Sequence, residues 1–476
     1  MQVKSKCRLN KLLRGNTMSF NWHNLLKPTR FSNYDTEKES EREIAFDSDY
    51  KRIVTSPAFR RLQDKTQVFP LERNDFVHTR LTHSIEVATI AREIAKACAR
   101  EFKKDKSHAA KSEFIHNENN ICRILESASL LHDIGNPPFG HFGEDIIRSW
   151  FKTELKALLK KRRCDLDITK YLSDFEQFDG NAQALRIITK LHDFSGDYGM
   201  DLTFPTINTI IKYTRSSAQP KDKQLVNKKI GYFFAEKSDF EKITQATGVG
   251  TARYPLTFIL EAADDITYLT ADIEDALKKG LFTFDFFKAK LCEYAEEYHA
   301  KDDYLFDVIK NNEEDNVNKY FLDIRLKLIA CAKYAFTKNY TSIISGTYND
   351  DLFTDTFGKN LHNALAQFAI KYIFVNKDIL KLEISGYTIL TFLLERFVSA
   401  VIPYSDLNDE SALEKLDRKL IQLISTSHKH VYAQYSKNQS EDDKLYLRLL
   451  MVTDFISGMT DSYAQDLYLT LSGNNI

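Results

Sequence analysis

The stretch Leu130-Leu131-His132-Asp133-Ile134-Gly135-Asn136-Pro137-Pro138-Phe139-Gly140-His141-Phe142-Gly143-Glu144 places two imidazoles and two carboxylates around a Pro-Pro break. Upstream, Ile121, Ile124, Leu125, Ala128 and Leu131 recur at helical spacing, so His132 and Asp133 fall at the end of a buried helix that Pro137 and Pro138 then stop. Neighbouring helical residues point about 100° apart, which lets one metal ion lie between the two side chains. A new helix is expected near His141, with Glu144 three residues on and on the same face. That pairing suits a general acid or base held by a carboxylate.

Two adjacent ligands cannot complete a coordination shell, so the others must come from elsewhere. The stretch Thr79-Arg80-Leu81-Thr82-His83-Ser84-Ile85-Glu86-Val87 opens a helix whose apolar side (Ile85, Ala88, Ile90, Ala91, Ile94, Ala95, Cys98) is expected to be buried, with His83 at its start facing inward. Later, Arg253-Tyr254-Pro255-Leu256 begins a helix with Pro in its first turn, and Lys278, Lys279 and Gly280 mark its end. Within it, Asp264, Tyr268 and Asp272 are spaced i, i+4, i+8 and form one stripe. Acidic helix residues ordinarily mark a solvated face, but this stripe gains meaning beside His83 and His132-Asp133.

Taken together, His83, His132, Asp133 and Asp264 resemble the ligand set of HD-domain phosphohydrolases. The match is closer still to the bacterial dGTP triphosphohydrolases. Arg60-Arg61-Leu62-Gln63-Asp64-Lys65-Thr66-Gln67-Val68-Phe69-Pro70-Leu71-Glu72-Arg73 comes first, followed by Thr79 to His83 and His132 to Glu144. Asp179-Gly180-Asn181-Ala182-Gln183, Lys212-Tyr213-Thr214-Arg215 and Glu261-Ala262-Ala263-Asp264-Asp265-Ile266 then complete that family's order. The resemblance runs from Asn21-Trp22-His23 to Ile456-Ser457-Gly458-Met459-Thr460-Asp461. Asp179 departs from it, because the family more often has Glu before that Gly-Asn pair.

The resemblance implies an HD-domain helical core elaborated with further helices, and attack at the α-phosphorus of a deoxynucleoside triphosphate. The products are then the deoxynucleoside and intact inorganic triphosphate. One divalent metal would be held by His83, His132, Asp133 and Asp264; two imidazoles with two carboxylates suit Mn²⁺, Mg²⁺ or an Fe/Co-class ion better than a structural zinc. His141 is then free for proton transfer, with Glu144 holding its tautomer. By the same carry-over Arg80 and Lys212 contact the triphosphate, and Tyr213 and Asn181 line its channel. Tyr268 packs under the sugar, and Asp272 and Gln67 bond its 3′-hydroxyl. Glu383, in Lys381-Leu382-Glu383-Ile384-Ser385-Gly386-Tyr387, is a candidate guanine contact. Relatives are commonly hexamers, and the family has a link to single-stranded DNA. Two other readings share the motif: an HD phosphodiesterase, which would not need Gln67, Tyr268 and Asp272, and a nucleotide-sensing or single-stranded-DNA-binding protein, against which the intact His141/Glu144 pair argues.

Composition agrees. In 476 residues, 16 Gly and 9 Pro are few, which favours long helices and an all-α fold. Lys+Arg of 66 against Asp+Glu of 67 makes any anion-binding surface local, and the clusters Lys160-Lys161-Arg162-Arg163 and Lys221-Asp222-Lys223 read as exposed helix ends or loops. Cys7, Cys98, Cys122, Cys164, Cys292 and Cys331 have no paired spacing and read as reduced residues of a cytoplasmic protein. Residues 1–17 are basic without the apolar stretch of a secretion signal, and Met18 directly precedes the family-like start, so a leader or an upstream misassigned start codon is expected. The most hydrophobic window, Thr388 to Tyr404, contains Glu395 and Arg396, which argues against a membrane span. Residues 18–476 read as one elaborated domain, with a metal-binding core over about 60–280 and a helical C-terminal part over about 281–476. Asp/Asn/Lys-rich loops near 311–318 and 436–443 read as connections rather than linkers.

Overall fold

Thr79 starts the longest helix of the metal-binding region. Its side chain accepts from the Thr82 backbone N–H while the Thr82 hydroxyl returns to the Thr79 backbone, a reciprocal cap for Arg80–Lys104. In the computed structural model, residues 20–474 are described except for 37, 70, 72–76, 106–108, 193–197, 302, 311–315 and 405–412. The basic stretch 1–17 with Cys7, and most of the loop near 311–318, therefore lie outside the described residues. The loop near 436–443 ends where Ser440 caps the helix Glu441–Ser457.

The fold is all-α apart from one small parallel pairing of Arg215–Ser216 with Ile230–Tyr232. Arg80–Lys104 packs along Glu118–Leu131, Pro255–Lys278 and Val317–Lys338, and these four helices bury Val87, Ile94, Cys98, Ile121, Leu125, Leu131, Ile259, Ile266, Ile324 and Leu328 in one cluster. A second cluster joins Phe139, Ile147 and Trp150 of the 139–153 region to Leu390, Leu394 and Phe397 of Lys377–Val401 and to Leu449, Val452 and Ile456 of Glu441–Ser457. Ile134 belongs to the first cluster and Phe139 to the second. The His132–Glu144 segment is thus the seam between them.

The seam is tight. A Cβ on Gly135 would lie 2.0 Å from the Gly180 carbonyl oxygen and 2.3 Å from the Ala184 nitrogen, so only glycine allows this turn to reach the Gly180–Thr189 helix. Phe139 turns the chain with φ 63°, and its N–H donates to Asp461 Oδ1 at 2.9 Å. The helix Gly140–Thr153 follows directly.

Where the expectations and the structure differ, the helical wheel explains it. The inward stripe of Arg80–Lys104 runs through His83, Ser84, Val87, Ala88, Ala91, Ile94, Ala95 and Cys98, whereas Ile85 is 48% exposed. It sits outside that arc. Lys377–Val401 is the one helix among the described residues long and apolar enough by composition to cross a membrane, but Ile389, Leu390, Leu393, Leu394, Phe397 and Val401 are spent on the core. Cys98, Cys122 and Cys331 are buried, Cys164 and Cys292 are half-buried, and no disulfide joins these five to one another.

His78 ties the approach to Arg80–Lys104 down onto Pro255–Lys278. Its N–H donates to Asp275 Oδ2 at 2.8 Å, and its ring lies 2.8 Å from Asp275 Oδ1 and 3.1 Å from Glu86 Oε1. Hydrogen bonding to these two carboxylates raises the His78 imidazole to about 10. A folded-state value above the unfolded one near 6.5 stabilises fully below about pH 6.5, and that stabilisation is lost as pH rises through about 10. His78→Gln is therefore expected to cost about 1–3 kcal/mol near pH 6 and progressively less toward pH 10. Urea unfolding of both proteins across that range measures this; a deficit independent of pH would show that the imidazole is not charged in the fold.

Candidate active site

His132 caps the C-terminus of Glu118–Leu131, and its Nδ1 lies 2.6 Å from the Ser129 carbonyl oxygen. A carbonyl only accepts, so Nδ1 carries the proton and Nε2 of the neutral ring is bare. That bare nitrogen is 3.3 Å from Asp264 Oδ1 and 3.6 Å from Asp133 Oδ1, and it has no hydrogen-bond partner. His83, fully buried, brings its Nε2 to 3.1 Å from the same Asp264 oxygen. Lone pairs facing one another in a buried site repel unless a cation or a proton lies among them. His83, His132 and Asp264 offer ligand atoms all within 4.8 Å of one another, so the donor set and its orphaned nitrogen fit a divalent ion.

Asp133 is near but turned. Its Oδ2 accepts from Arg80 Nη1 at 2.7 Å and its Oδ1 from Asn136 Nδ2 at 2.6 Å. Lys212 Nζ donates to Asp264 Oδ2 at 2.7 Å. Burial opposes ionisation of both carboxylates, but the Arg80 guanidinium at Asp133 and the Lys212 ammonium at Asp264 act against it, and both stay well below the usual carboxylate range.

The second half of the opening motif folds as a pair. His141 and Glu144 share a face of Gly140–Thr153, with Nδ1 to Oε2 at 3.2 Å. The imidazole is 71% exposed while the carboxylate is 2% exposed. Glu144 Oε1 also accepts the Gly180 N–H at 2.7 Å, and Arg148 and Lys229 stand at 3.7 and 3.9 Å. Burial would raise this carboxyl, yet the His141 hydrogen bond and charge, Lys229 and the Gly180 N–H bring it down to about 2.

One cavity of about 650 Å³ gathers Gln67, Arg80, His132, Asp133, His141, Asn181, Lys212, Tyr213, Asp264, Tyr268 and Glu383. His83 and Glu144 stand behind its wall, each touching a lining residue. Asp272 is also off the lining; it is 1% exposed, with one oxygen unpartnered and its carboxyl pushed well above the usual range by burial and by Asp275. Tyr268 stacks near-parallel to Phe374 at 6.3 Å between centroids. Sequence reasoning missed Lys229, which bonds Asp179 at 2.9 Å, and the flank formed by Glu261, Asp265, Asp351 and His362. No local signal marks Lys229, Asp351 or His362, whereas Glu261 and Asp265 flank Asp264 in the motif quoted above; Lys229 in a Lys-rich run reads like any solvated lysine.

Comparison with known proteins bears on this geometry. A family model described as HD domain matches residues 80–203, which hold Arg80, His83, His132, Asp133, His141, Glu144 and Asn181. The chain is 42% identical over 472 residues to a deoxyguanosinetriphosphate triphosphohydrolase-like protein of Listeria monocytogenes, covering 95% of this chain and 99% of that one. It is 33% identical over 493 residues to the deoxyguanosinetriphosphate triphosphohydrolase of Yersinia enterocolitica, covering 91% and 95%. Against that of Salmonella typhimurium it is 34% identical over 503 residues, covering 95% and 97%. An HD domain implies a divalent metal, and His83, His132 and Asp264 are a group that could hold one. With identity sustained across almost its whole length, the chain belongs to the deoxyguanosinetriphosphate triphosphohydrolase family of HD-domain proteins.

Proposed function

We propose that this chain is a metal-dependent hydrolase of deoxynucleoside triphosphates, with dGTP as its substrate, that releases the deoxynucleoside and inorganic triphosphate and so controls dNTP pools. The observation that carries this reading is the single cavity at which His132 and Asp264, backed by His83, converge with the Arg80 and Lys212 cations and Tyr268. The names of the relatives from Yersinia and Salmonella support the substrate.

His83, His132 and Asp264, with Asp133 turning in as the fourth ligand, would hold one Mn²⁺ or Mg²⁺, an Fe/Co-class ion being the other fit. Bound there, the ion supplies Lewis-acid charge beside the reacting phosphorus. Arg80 and Lys212 each hold a carboxylate now, and their remaining N–H groups are available to the triphosphate oxygens. Tyr213 and Asn181 line the same channel. His141 keeps Nδ1 toward Glu144, which leaves Nε2 to move the proton. Glu144 stays ionised at any working pH and fixes the orientation of the ring. Tyr268 would pack under the deoxyribose. Gln67 Oε1 is buried without a partner and would accept from the 3′-hydroxyl, while Asp272, kept protonated by burial, would donate to it.

A cytoplasmic homo-oligomer, with the hexamer as its form, belongs to the same reading, as does an interaction with single-stranded DNA. Leu380, Ile384 and Tyr387 support the oligomer, since they lie exposed at helical spacing on the helix that carries Glu383, the proposed guanine contact.

Incubation of purified protein with dGTP and Mn²⁺ or Mg²⁺ is expected to yield deoxyguanosine and triphosphate by chromatography; dGMP with pyrophosphate would refute attack with triphosphate as leaving group. His141→Ala should keep its metal and its affinity for dGTP but lose about 10²- to 10⁴-fold in kcat, with KM nearly unchanged. Metal analysis beside steady-state kinetics checks this, and near wild-type turnover would remove His141 from the chemistry.

A further inference from the structure

The Arg60-Arg61-Leu62-Gln63-Asp64-Lys65-Thr66-Gln67 motif sends Thr66 and Gln67 into the active-site cavity, but Arg61 and Lys65 line a different one. This second cavity, of about 250 Å³, lies behind the metal segment, with Ile134, His428 and Gly458 in its wall. Lys65 is 2% exposed, and its Nζ donates to the carbonyl oxygens of Asn136 at 2.5 Å and Ser457 at 2.8 Å. Neither acceptor carries charge. Burial therefore pushes the amine down to about 7; Arg80 and Arg61 push in the same direction, and the Asp461 and Asp133 carboxylates oppose them.

Arg61 stands exposed at the mouth, with no hydrogen-bond or ion-pair partner among the described residues. His428 is 7% exposed, and its Nδ1 has no partner. The Arg61 charge acts on both Lys65 and His428, so the three groups lie within electrostatic reach of one another. Asp454 is the one carboxylate on the lining among the described residues, and it is already saturated: Gln183 donates at 2.9 Å, and the Arg186 guanidinium donates at 2.7, 2.8 and 3.0 Å. Arg61 and Lys65 line this cavity with the His192 and His428 imidazoles, and the one carboxylate on its lining among the described residues is already engaged by Gln183 and Arg186. The Arg61 guanidinium and the His428 Nδ1, both without a partner among the described residues, are hydrogen-bonding capacity that an oxyanion entering the cavity can use.

We propose that this cavity binds a phosphate-class oxyanion, held by the Arg61 guanidinium, the Lys65 ammonium and the His428 imidazole. The volume admits a tetrahedral ion or the phosphoryl end of a larger molecule, and is below the range of pockets that enclose a whole drug-sized ligand. Free phosphate and a nucleoside monophosphate share that chemistry. The site also touches the metal segment, because the Asn136 residue held by Lys65 donates its side-chain amide to Asp133 at 2.6 Å. An anion that keeps Lys65 charged would tighten that turn. This inference does not depend on the reaction assigned to the first cavity.

The test is calorimetric titration of metal-stripped, full-length protein with inorganic phosphate at constant ionic strength set by chloride. Saturable binding of one phosphate per chain is expected, with Kd raised about tenfold or more in Arg61→Gln and less in His428→Asn. Lys212→Met, which removes a cation from the first cavity, should leave that Kd unchanged. A titration with dGMP identifies the source: competition with phosphate that depends on Arg61 supports a nucleotide phosphoryl group, and absence of competition supports the free ion. Absence of phosphate binding, binding that survives in both Arg61→Gln and His428→Asn, or binding lost in Lys212→Met would overturn the proposal.

Discussion

Everything in the metal-binding region turns on one hydrogen bond, from His132 Nδ1 to the Ser129 carbonyl oxygen. It costs the helix nothing, since the last carbonyls of a helix have no partner within it. Its effect is to choose the tautomer. With the proton committed to Nδ1, the Nε2 lone pair must face Asp264 and Asp133, and His83 meets the same Asp264 oxygen from another helix. Three helices that are distant in sequence are thus brought to one point by atoms that repel unless positive charge is supplied. The Lys212 and Arg80 side chains supply part of it from the outer sides of the two carboxylates.

Much of this was legible in the sequence, and the reasons are local. The helix ending at His132, the Pro-Pro stop, the start near His141 and the Pro255 opening all follow from backbone restrictions that act within a few residues. His141 and Glu144 share a face because the helical repeat requires it. What lay beyond the sequence was the orientation of side chains across elements. Asp133 faces Arg80 and Asn136 rather than joining the compact His83/His132/Asp264 group, and Asp272 lies off the cavity lining despite sharing a stripe with Asp264 and Tyr268. Lys229 arrives beside Glu144 through a loop without periodicity. Ile85 shows the other limit: its apolar character was plain, but which way a residue beside the inward stripe points depends on the helix's neighbours.

Fixed charge and mobile ring are kept apart in the His141 pair. Glu144 is buried, ionised and anchored by the Gly180 N–H, whereas His141 projects into the cavity with most of its ring exposed. An exposed ring has access to whatever enters the cavity, while a buried carboxylate holds its hydrogen-bond partners most firmly at low dielectric. The metal-ligand candidates follow the opposite rule, since they must hold geometry rather than exchange it. His83 and His132 are accordingly buried.

These two halves meet at Gly180. A Cβ there would come within 2.3 Å of Asn136 Oδ1 and 3.0 Å of Glu144 Oε1, so one missing side chain admits both the Asn136 amide that steadies Asp133 and the carboxylate that steadies His141. The Gly180–Thr189 helix starts at this residue, with Asp179 as its cap through the Asn181 N–H at 2.9 Å. Asp179 Oδ2 in turn holds Lys229 at 2.9 Å, and Lys229 stands 3.9 Å from Glu144 Oε2, the oxygen that faces the imidazole. The Asp179-Gly180-Asn181 motif is therefore the structural link between the Asp133 side of the His83/His132/Asp264 group and the His141/Glu144 pair. The carboxyl before Gly180 caps the helix with one oxygen and places a cation with the other, two tasks that any carboxylate of suitable reach performs. Asp179 performs both here.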